Sequence, residues 1–447
     1  MLLYLASCNQ KNEDPIINES EFDSMVVPSD FTWSTLDKIN FTVNITNPDG
    51  TYSQDLNGFP LDVTDMQGNR LIRANVIDGQ VSFYLELNKS IQSVGLYAPS
   101  LNINSAIDLG EEFYTFMLPE NIVINEYIDN DNDGVYDDFD DFPDDAEIAF
   151  SVDYPSPYQD GLKSTDRGFS FWYYQVFEDL WPSKGDYDFN DLTLKIKMKV
   201  NTNGSGKWKS GTFDVYIWTN GAGIDLGCGI DFYKYNGSQS GKSVLEYMPD
   251  GSIGLVSGSY NPDFTRLDPN AENAIIVFNN TDDVKPIDYY NTGQGLSYNP
   301  MLTPVSFEWD INTPQNMRAY MYLYYATDRG HEIRTVGLPP TKGLDMNLLG
   351  TYDDDSPVTG WDWTPGTTFL APLETPFFVT DNLHPWGIEI EWDGDLSVPF
   401  EKVDILDAFP QFQDWAESGG NQNTKWYKYP SSDPSLVFDV GELVTSK

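Results

Sequence analysis

Short runs of alternating apolar and polar residues recur along the chain and predict β-strands. In the clearest run, five apolar residues at every second position from Leu192 to Val200 alternate with threonine and lysine, which is typical of a half-buried strand. Similar patterns predict further strands at 41–45, 81–85, 213–217, 274–278, 305–309, 319–325 and 387–392. The sequence therefore predicts an all-β protein with little helix.

These patterns divide the chain into five predicted segments. Residues 30–118 contain short strands separated by turn signals such as Asn47-Pro48-Asp49-Gly50, which favours a small N-terminal β-sandwich. Residues 151–445 predict a larger β-sandwich-like domain with one helix at Val403–Glu417, which Pro410 must kink or split. The other segments are a truncated lipoprotein signal at 1–8, a linker at 9–29 and an acidic calcium-binding region at 119–150.

The charge of the chain restricts its partners. The 447 residues include 25 Lys and Arg and 70 Asp and Glu, so the net charge is 25 − 70 = −45. Nucleic acids are bound by clustered basic residues, so this composition excludes a nucleic-acid-binding protein. It suits the capture of divalent cations. With two cysteines and two histidines in the whole chain, a zinc cluster is also excluded.

A candidate lipidation site lies near the start of the sequence. Leu5-Ala6-Ser7-Cys8 resembles a bacterial lipobox, in which the cysteine is lipidated and becomes the new N-terminus. The preceding apolar stretch is short and lacks basic residues, which indicates a mis-assigned start or a truncated gene. A disulfide between Cys8 and Cys228 and a chance cysteine are the alternatives. We expect a lipid anchor that holds the protein in the bacterial cell envelope, exposed at the surface or facing the periplasm.

The strongest chemical signal is an acidic loop that fits D-x-D-x-D-G-x-x-D-x-x-D. Oxygen ligands at alternate positions suit calcium, which takes six to eight oxygens, and Gly134 permits the sharp turn around the ion. Val135 would offer its backbone carbonyl, and an aspartate closes the loop where an EF-hand has glutamate. The alternative is a solvated acidic linker. The expected ligands are Asp129, Asp131, Asp133, Val135, Asp137 and Asp140.

A second acidic group directly precedes the strand that begins at Leu192. Asp186, Asp188 and Asn190 lie at alternate positions and are followed by Asp191, so their oxygens could point the same way. A tight turn held by Asx hydrogen bonds explains the spacing equally well. The sequence leaves open whether the two groups share one metal region or form separate sites.

Together these stretches resemble the LruC-domain family of bacterial envelope lipoproteins, many of them from Bacteroidetes. The resemblance implies an outer-membrane lipoprotein, and it implies no reaction because the activity of that family is largely undefined. The first loop also resembles the calcium loops of thrombospondin type 3 repeats. The resemblance covers residues 122 to the C-terminus and rests on the motifs at 131–138, 142–145, 177–182, 185–192, 330–333, 338–341, 384–386 and 400–403.

The sequence gives little support to catalysis. It contains no G-x-S-x-G motif, and His331 and His384 are more typical of structural hydrogen-bonding residues. We therefore expect a non-catalytic, calcium-stabilised binding or structural module, with a surface glycan or a protein as partner. The alternative is a calcium-dependent glycan-binding or glycan-active protein, in which Trp361-Asp362-Trp363 and Phe171-Trp172-Tyr173-Tyr174 stack on sugars.

Overall fold

The computed structural model describes residues 21–438, except 55, 121–126, 159–171, 222, 285–302, 359 and 393. The described chain consists of strands and loops with a few short helices, which confirms the all-β prediction. Cys8 and the apolar stretch Ile122-Val123-Ile124 lie outside the described residues. So does Phe171 of the predicted aromatic run.

The N-terminal strands form two small sheets. One sheet has the order β4-β1-β7 and the other has the order β3-β2-β5-β6. Strand β1 pairs antiparallel with β4 and parallel with β7, and both sheets contribute buried apolar side chains to one core. The strands are β1 Leu36–Thr46, β2 Pro60–Thr64, β3 Arg70–Asn75, β4 Gln80–Asn88, β5 Ser93–Ala98, β6 Ile103–Asp108 and β7 Phe113–Met117.

The remaining strands form two seven-stranded sheets and a short ribbon of β22 with β23. The first large sheet has the order β14-β17-β11-β10-β9-β21, with β8 paired to β10. The second has the order β15-β16-β12-β13-β20, with β18 paired to β12 and β19. The strands are β8 Phe150–Tyr154, β9 Trp172–Phe177, β10 Leu192–Thr202, β11 Trp208–Thr219, β12 Leu226–Gln239, β13 Lys242–Glu246, β14 Ile253–Leu255, β15 Arg266–Leu267, β16 Ala274–Phe278, β17 Val305–Gln315, β18 Met317–Tyr325, β19 Asp328–Ile333, β20 Thr368–Ala371, β21 Gly387–Trp392, β22 Val398–Pro399 and β23 Val437–Phe438.

The helices are short. Helix α1 spans Thr281–Val284, and the helix predicted at Val403–Glu417 is split into α2 Ile405–Ala408 and α3 Phe412–Glu417. Pro410 lies in the break, as expected for a residue that lacks a backbone N–H. Over the described ranges, none of the helices has the length and apolar character needed to cross a membrane.

The segment before β1 corrects one prediction. The sequence predicts a linker at 9–29, but Phe22, Met25 and Val27 are buried in a second core that also contains the residues of α2 and α3. Phe22 lies in a 3₁₀ turn at Phe22–Ser24 and is completely buried. The prediction is wrong for residues 21–29, because a few apolar side chains without periodicity can still pack against distant aromatic residues.

Candidate metal sites

The acidic loop brings three of its predicted ligands together. One carboxylate oxygen from each of Asp129, Asp131 and Asp133 lies within 4.8 Å of the other two. The backbone curls around them because Asn132 and Gly134 adopt positive φ values of 64° and 92°. Backbone N–H groups of the loop donate to these carboxylates, with the Asn132 N–H 2.8 Å from Asp129 Oδ1. The loop is thus already folded around a cluster of oxygens.

Several carboxylate oxygens of the acidic loop have no hydrogen-bond partner in the described part of the chain. The Oδ2 atoms of Asp131, Asp133 and Asp140 are buried and accept no hydrogen bond from the described residues. Burial and neighbouring carboxylates raise the pKa of Asp133 to about 6 and that of Asp140 to about 7. The nearby charges that raise the pKa of Asp140 include those of Asp133 and Asp131, which places it beside the cluster.

Two other predicted ligands have structural contacts. Asp137 accepts hydrogen bonds from the backbone N–H of Asn130, at 2.9 Å, and from its side-chain amide. Val135 buries its side chain against Ala149 and Phe150, and its N–H donates to an oxygen of the acidic cluster. Asp137 therefore closes the loop and Val135 anchors it.

The loop is attached to both parts of the fold. From β3, Arg70 forms an ion pair with Asp141 at 3.1 Å and Arg73 donates to the Phe139 carbonyl at 3.2 Å. On the other side, the Ala149 N–H donates to the Thr202 carbonyl at the end of β10. The loop therefore lies at the junction between the small N-terminal sheets and the larger ones.

A second cluster forms where the chain passes from β9 to β10. Carboxylate oxygens of Glu178, Asp186 and Asp188 lie within 4.8 Å of one another. Glu178 is completely buried and Asp188 is 1% exposed, whereas Asp186 is open to solvent. Glu178 Oε1 accepts the Phe189 N–H at 2.7 Å, but its buried Oε2 finds no donor in the described part of the chain. This cluster is a group separate from the first loop.

Glu178 is a candidate ligand that the sequence did not predict, because the prediction used only the spacing of Asp186, Asp188 and Asn190. The pairing of Phe177 with Leu192 brings the two ends of the connection together, so Glu178 follows β9 next to the start of β10. Gly185 makes room for this side chain, since a Cβ at Gly185 would overlap Glu178 Oε2. The register of β9 and β10 is the signal that would have identified Glu178.

The backbone of the second cluster is strained. Tyr187 and Phe189 have positive φ values of 59° and 50°, a conformation that costs about 1–2 kcal/mol for each residue with a side chain. Both rings are buried in the core formed with Phe22, which stacks on Tyr187 at 4.2 Å. Aspartates and aromatic residues alternate from Asp186 to Phe189. The two aromatic rings therefore lie in the core, while the carboxylates of Asp186 and Asp188 lie close to that of Glu178.

The N-terminal segment also bonds to this loop through Asp23. The Tyr187 hydroxyl donates to Asp23 at 3.0 Å, and Lys184 forms an ion pair with it at 2.9 Å. These contacts lower the pKa of the Asp23 carboxyl although its partial burial opposes them. The segment that follows the predicted lipid anchor thus contacts the loop that carries Asp186 and Asp188.

The other two predicted ligands of this cluster have mixed roles. Asn190 donates its N–H to Asp188 at 3.0 Å, which is the Asx turn that the spacing allowed as an alternative. Its side-chain Oδ1 is buried and unpartnered within the described ranges, so it remains able to bind a cation. Asp191 accepts the Asp179 N–H at 2.8 Å and lies outside the group of three carboxylates.

The second cluster is electrostatically unfavourable in the absence of a cation. Burial, reinforced by neighbouring carboxylates, raises the pKa of Asp188 to about 8, raises that of Asp191 to about 9 and shifts that of Glu178 well upward. Glu401, which the spacing did not predict, also has a buried Oε2 without a hydrogen-bond partner among the described residues, and burial raises its pKa. A divalent cation would neutralise these carboxylates, of which Glu178 and Asp188 are shielded from water and Asp186 is open to it.

The two histidines have structural contacts. His384 is buried, its Nε2 lies 3.0 Å from the Met25 carbonyl, and burial lowers its pKa. His331 stacks on Tyr325 with ring centroids 4.6 Å apart and hydrogen-bonds Asp328 at 2.8 Å. Neither ring is part of the two carboxylate clusters.

Those aromatic residues considered for sugar stacking that the structure describes are partly or fully buried. Tyr174 is completely buried, and Tyr173 is 9% exposed. The Trp361 indole donates to the Tyr247 hydroxyl at 2.8 Å, and the Trp363 indole donates to a backbone carbonyl at 3.0 Å. These contacts favour packing over an open stacking surface.

No curated protein matches the chain. A crystal structure from Bacteroides ovatus, described as a "Putative lipoprotein", is similar with a TM-score of 0.44 and 14% sequence identity, over 86% of this chain and 100% of that chain. The resemblance to the LruC-domain family stays a prediction. Residues 206–427, which follow both acidic clusters, match the family model described as a domain of unknown function (DUF4842).

Proposed function

We propose that this protein is a calcium-stabilised binding or structural module of the bacterial cell envelope. One observation carries the calcium claim: Glu178 is completely buried, its Oε2 has no hydrogen-bond partner among the described residues, and it lies with Asp186 and Asp188. An unpaired buried carboxylate beside two others is costly unless it is protonated or bound to a cation.

The ligand chemistry favours calcium over other metals. Both clusters offer carboxylate oxygens, and Asn190 adds an amide oxygen, whereas zinc prefers nitrogen and sulfur ligands. Calcium accepts six to eight oxygens in irregular geometry, whereas magnesium requires a near-octahedral arrangement and retains its water. Irregular loops rich in carboxylates therefore suit calcium best.

In this proposal the two ions stabilise different parts of the fold. The first would hold the loop that joins β3 to β8 and β10, through the contacts of Arg70, Arg73 and Ala149. The second would hold the connection between β9 and β10 against the core around Phe22. Calcium would then act as a structural ion, with an affinity of about 10⁻⁴–10⁻³ M as in extracellular modules.

Thermal melting in calcium and in EDTA tests this proposal. We expect a higher Tm in calcium, a smaller shift in the double variant Asp131→Ala and Asp133→Ala, and a smaller shift in Glu178→Gln. Asp263→Ala, which removes an exposed carboxylate elsewhere, should keep the full shift. A Tm that is the same in calcium and in EDTA for the unmodified protein contradicts the proposal.

The envelope location rests on Leu5-Ala6-Ser7-Cys8 and on the family resemblance of the acidic motifs. We propose that Cys8 is lipidated and anchors the protein in the outer membrane. A bacterium that makes the protein is grown with a labelled palmitate analogue, and we expect label on the protein and none on Cys8→Ser. Label that persists in Cys8→Ser contradicts the anchor.

A further inference from the structure

A cleft of about 670 Å³ lies between the N-terminal sheets and the larger ones. Strands β1 and β4 line one side, and the turn before β11 together with parts of β12, β17 and β18 lines the other. Its volume lies in the range of about 300–1,000 Å³ that is typical of ligand sites. Neither acidic cluster lines it.

The charge of the cleft is opposite to that of the protein. Among its lining residues, Lys207, Lys234 and Arg318 are basic and Glu112 alone is acidic, whereas the chain has 25 basic and 70 acidic residues. Lys234 is paired with Glu246, which is not a lining residue, at 3.4 Å. The cleft therefore attracts anions, whereas the rest of the acidic surface repels them.

Arg318 is held in a fixed position without a direct hydrogen bond to a carboxylate of the described residues. It is 3% exposed, and its guanidinium carbon lies 3.2 Å from the ring centroid of Tyr84 and 3.9 Å from that of Tyr235. Its two terminal nitrogens donate to neutral oxygens, the Met317 carbonyl and Asn40 Oδ1, each at 2.6 Å. Its charge also acts on the buried carboxyl of Glu86, and its buried Nε has no partner among the described residues.

Asn75 provides a complementary group. It is 4% exposed and lines the same cleft. Its N–H donates to the Gly204 carbonyl at 2.9 Å and its side-chain amide donates to the Gly134 carbonyl at 3.1 Å, which fixes the orientation of the side chain. Its buried Oδ1 accepts no hydrogen bond from the described chain and is thus available to a hydroxyl group.

We propose that this cleft binds a saccharide that carries carboxylates, that is, a chain of uronic acid residues. A carboxylate would accept hydrogen bonds from the fixed guanidinium of Arg318, whose planar fork suits this group. A hydroxyl would donate to Asn75 Oδ1, and the other amides would bond further hydroxyls. These amide side chains belong to Asn40, Gln80, Asn236, Gln315 and Asn316.

This inference extends the proposed binding module, and it depends on the proposed calcium site through one hydrogen bond. Gly134, which accepts from Asn75, is the sixth residue of the acidic loop. Calcium in that loop would therefore hold Asn75 in place, and loss of calcium would weaken the hydroxyl contact. The contact of Arg318 with a carboxylate does not involve the loop.

Isothermal titration of the full chain tests the inference. The probes are trisaccharides of galacturonate, glucuronate and mannuronate, each compared with its neutral methyl ester, and a glutamate trimer serves as the acidic peptide. We expect at least one uronate to bind at least tenfold more tightly than its ester and than the peptide. Equal binding of acid and ester, preference for the peptide, or binding of none of the uronates overturns the inference.

Variants locate the site. We expect Arg318→Gln to weaken uronate binding at least tenfold, whereas Arg266→Gln, the same change at an exposed arginine outside the cleft, leaves it unchanged. Because Arg318 is buried, Lys207→Gln gives a second test at an exposed lining residue, with an expected loss of a few fold. Uronate binding that both Arg318→Gln and Lys207→Gln leave intact overturns the assignment to this cleft.

A titration in EDTA separates this inference from the calcium proposal. If uronate binds in EDTA to a protein that shows no thermal shift with calcium, the calcium proposal fails and the cleft assignment stands. If calcium raises the Tm and no uronate binds under either condition, the cleft assignment fails alone.

Discussion

Replacement of Glu178 by glutamine tests whether Glu178 is a calcium ligand or only a structural hydrogen-bonding residue. Burial and neighbouring carboxylates raise the pKa of Glu178 well above its usual range, which favours the neutral form of the side chain when no calcium is bound. Glutamine has nearly the same shape as a neutral glutamic acid, so Glu178→Gln should leave the Tm in EDTA unchanged. In calcium the same change removes a charged ligand.

The size of the effect follows from binding linkage. With a dissociation constant of ~10⁻⁴ M, calcium at ~10 mM stabilises the second cluster by about 2.7 kcal/mol. Loss of even an outer-shell partner of a metal ligand lowers affinity by about 10–100-fold, so we expect at least ~100-fold for Glu178 itself. The remaining stabilisation is then about 0.4 kcal/mol. At about 2 °C per kcal/mol, a calcium shift of ~5 °C should fall to ~1 °C.

Calorimetric melting measures this shift. Asp131→Ala with Asp133→Ala forms the background, so that the shift reports on the second cluster alone. Glu374→Gln, the same change at an exposed glutamate, is the matched control and should keep the full shift. If Glu178→Gln lowers the Tm equally in calcium and in EDTA, Glu178 has only a structural role and is not a calcium ligand.

Four further outcomes follow from the same geometry. Because burial raises the pKa of Asp188 to about 8, protons compete with calcium for this carboxylate. Calcium titrations should therefore show weaker binding at pH 6 than at pH 9, and equal affinity at the two pH values contradicts this prediction. In EDTA the pH dependence of stability has the opposite direction. The pKa of Asp188 in the folded state exceeds the usual 3.8, so the folded state binds more protons than the unfolded state, and the Tm should fall as pH rises from about 4 to about 8. A Tm that rises over this range contradicts the prediction. Gly185→Ala, whose Cβ would displace Glu178, should reduce the calcium shift although no ligand is changed, and an intact shift contradicts the placement of Glu178. Phe22→Ala removes the ring stacked on Tyr187, so urea unfolding should show a loss of about 3–5 kcal/mol, and a loss below 1 kcal/mol contradicts its role in the second core.

The sequence predicts those features that depend on neighbouring residues. The strand at Leu192–Thr202 follows from alternation, because each strand side chain faces the side opposite to its neighbours. The convergence of Asp129, Asp131 and Asp133 follows from their spacing around Gly134. The split of the predicted helix follows from Pro410.

Features that depend on distant contacts were not predicted. Glu178 joins Asp186 because β9 pairs with β10, and this register cannot be derived from either strand alone. Tyr187 and Phe189 adopt positive φ values although aromatic residues disfavour them, because the surrounding core holds the rings in place. The packing of residues 21–27 depends on partners such as His384, more than 350 residues away in the chain.

Equilibrium dialysis against radioactive calcium at pH 8 counts the bound ions directly. We expect about two calcium ions per chain, one fewer in the double variant Asp131→Ala and Asp133→Ala, and one fewer in Glu178→Gln. Since the acidic surface also attracts calcium weakly, the dialysis is run in ~0.15 M salt, which screens exposed charges. Calcium binding that is absent in the unmodified protein, or that is unchanged in both variants, contradicts the proposal that the two clusters bind calcium.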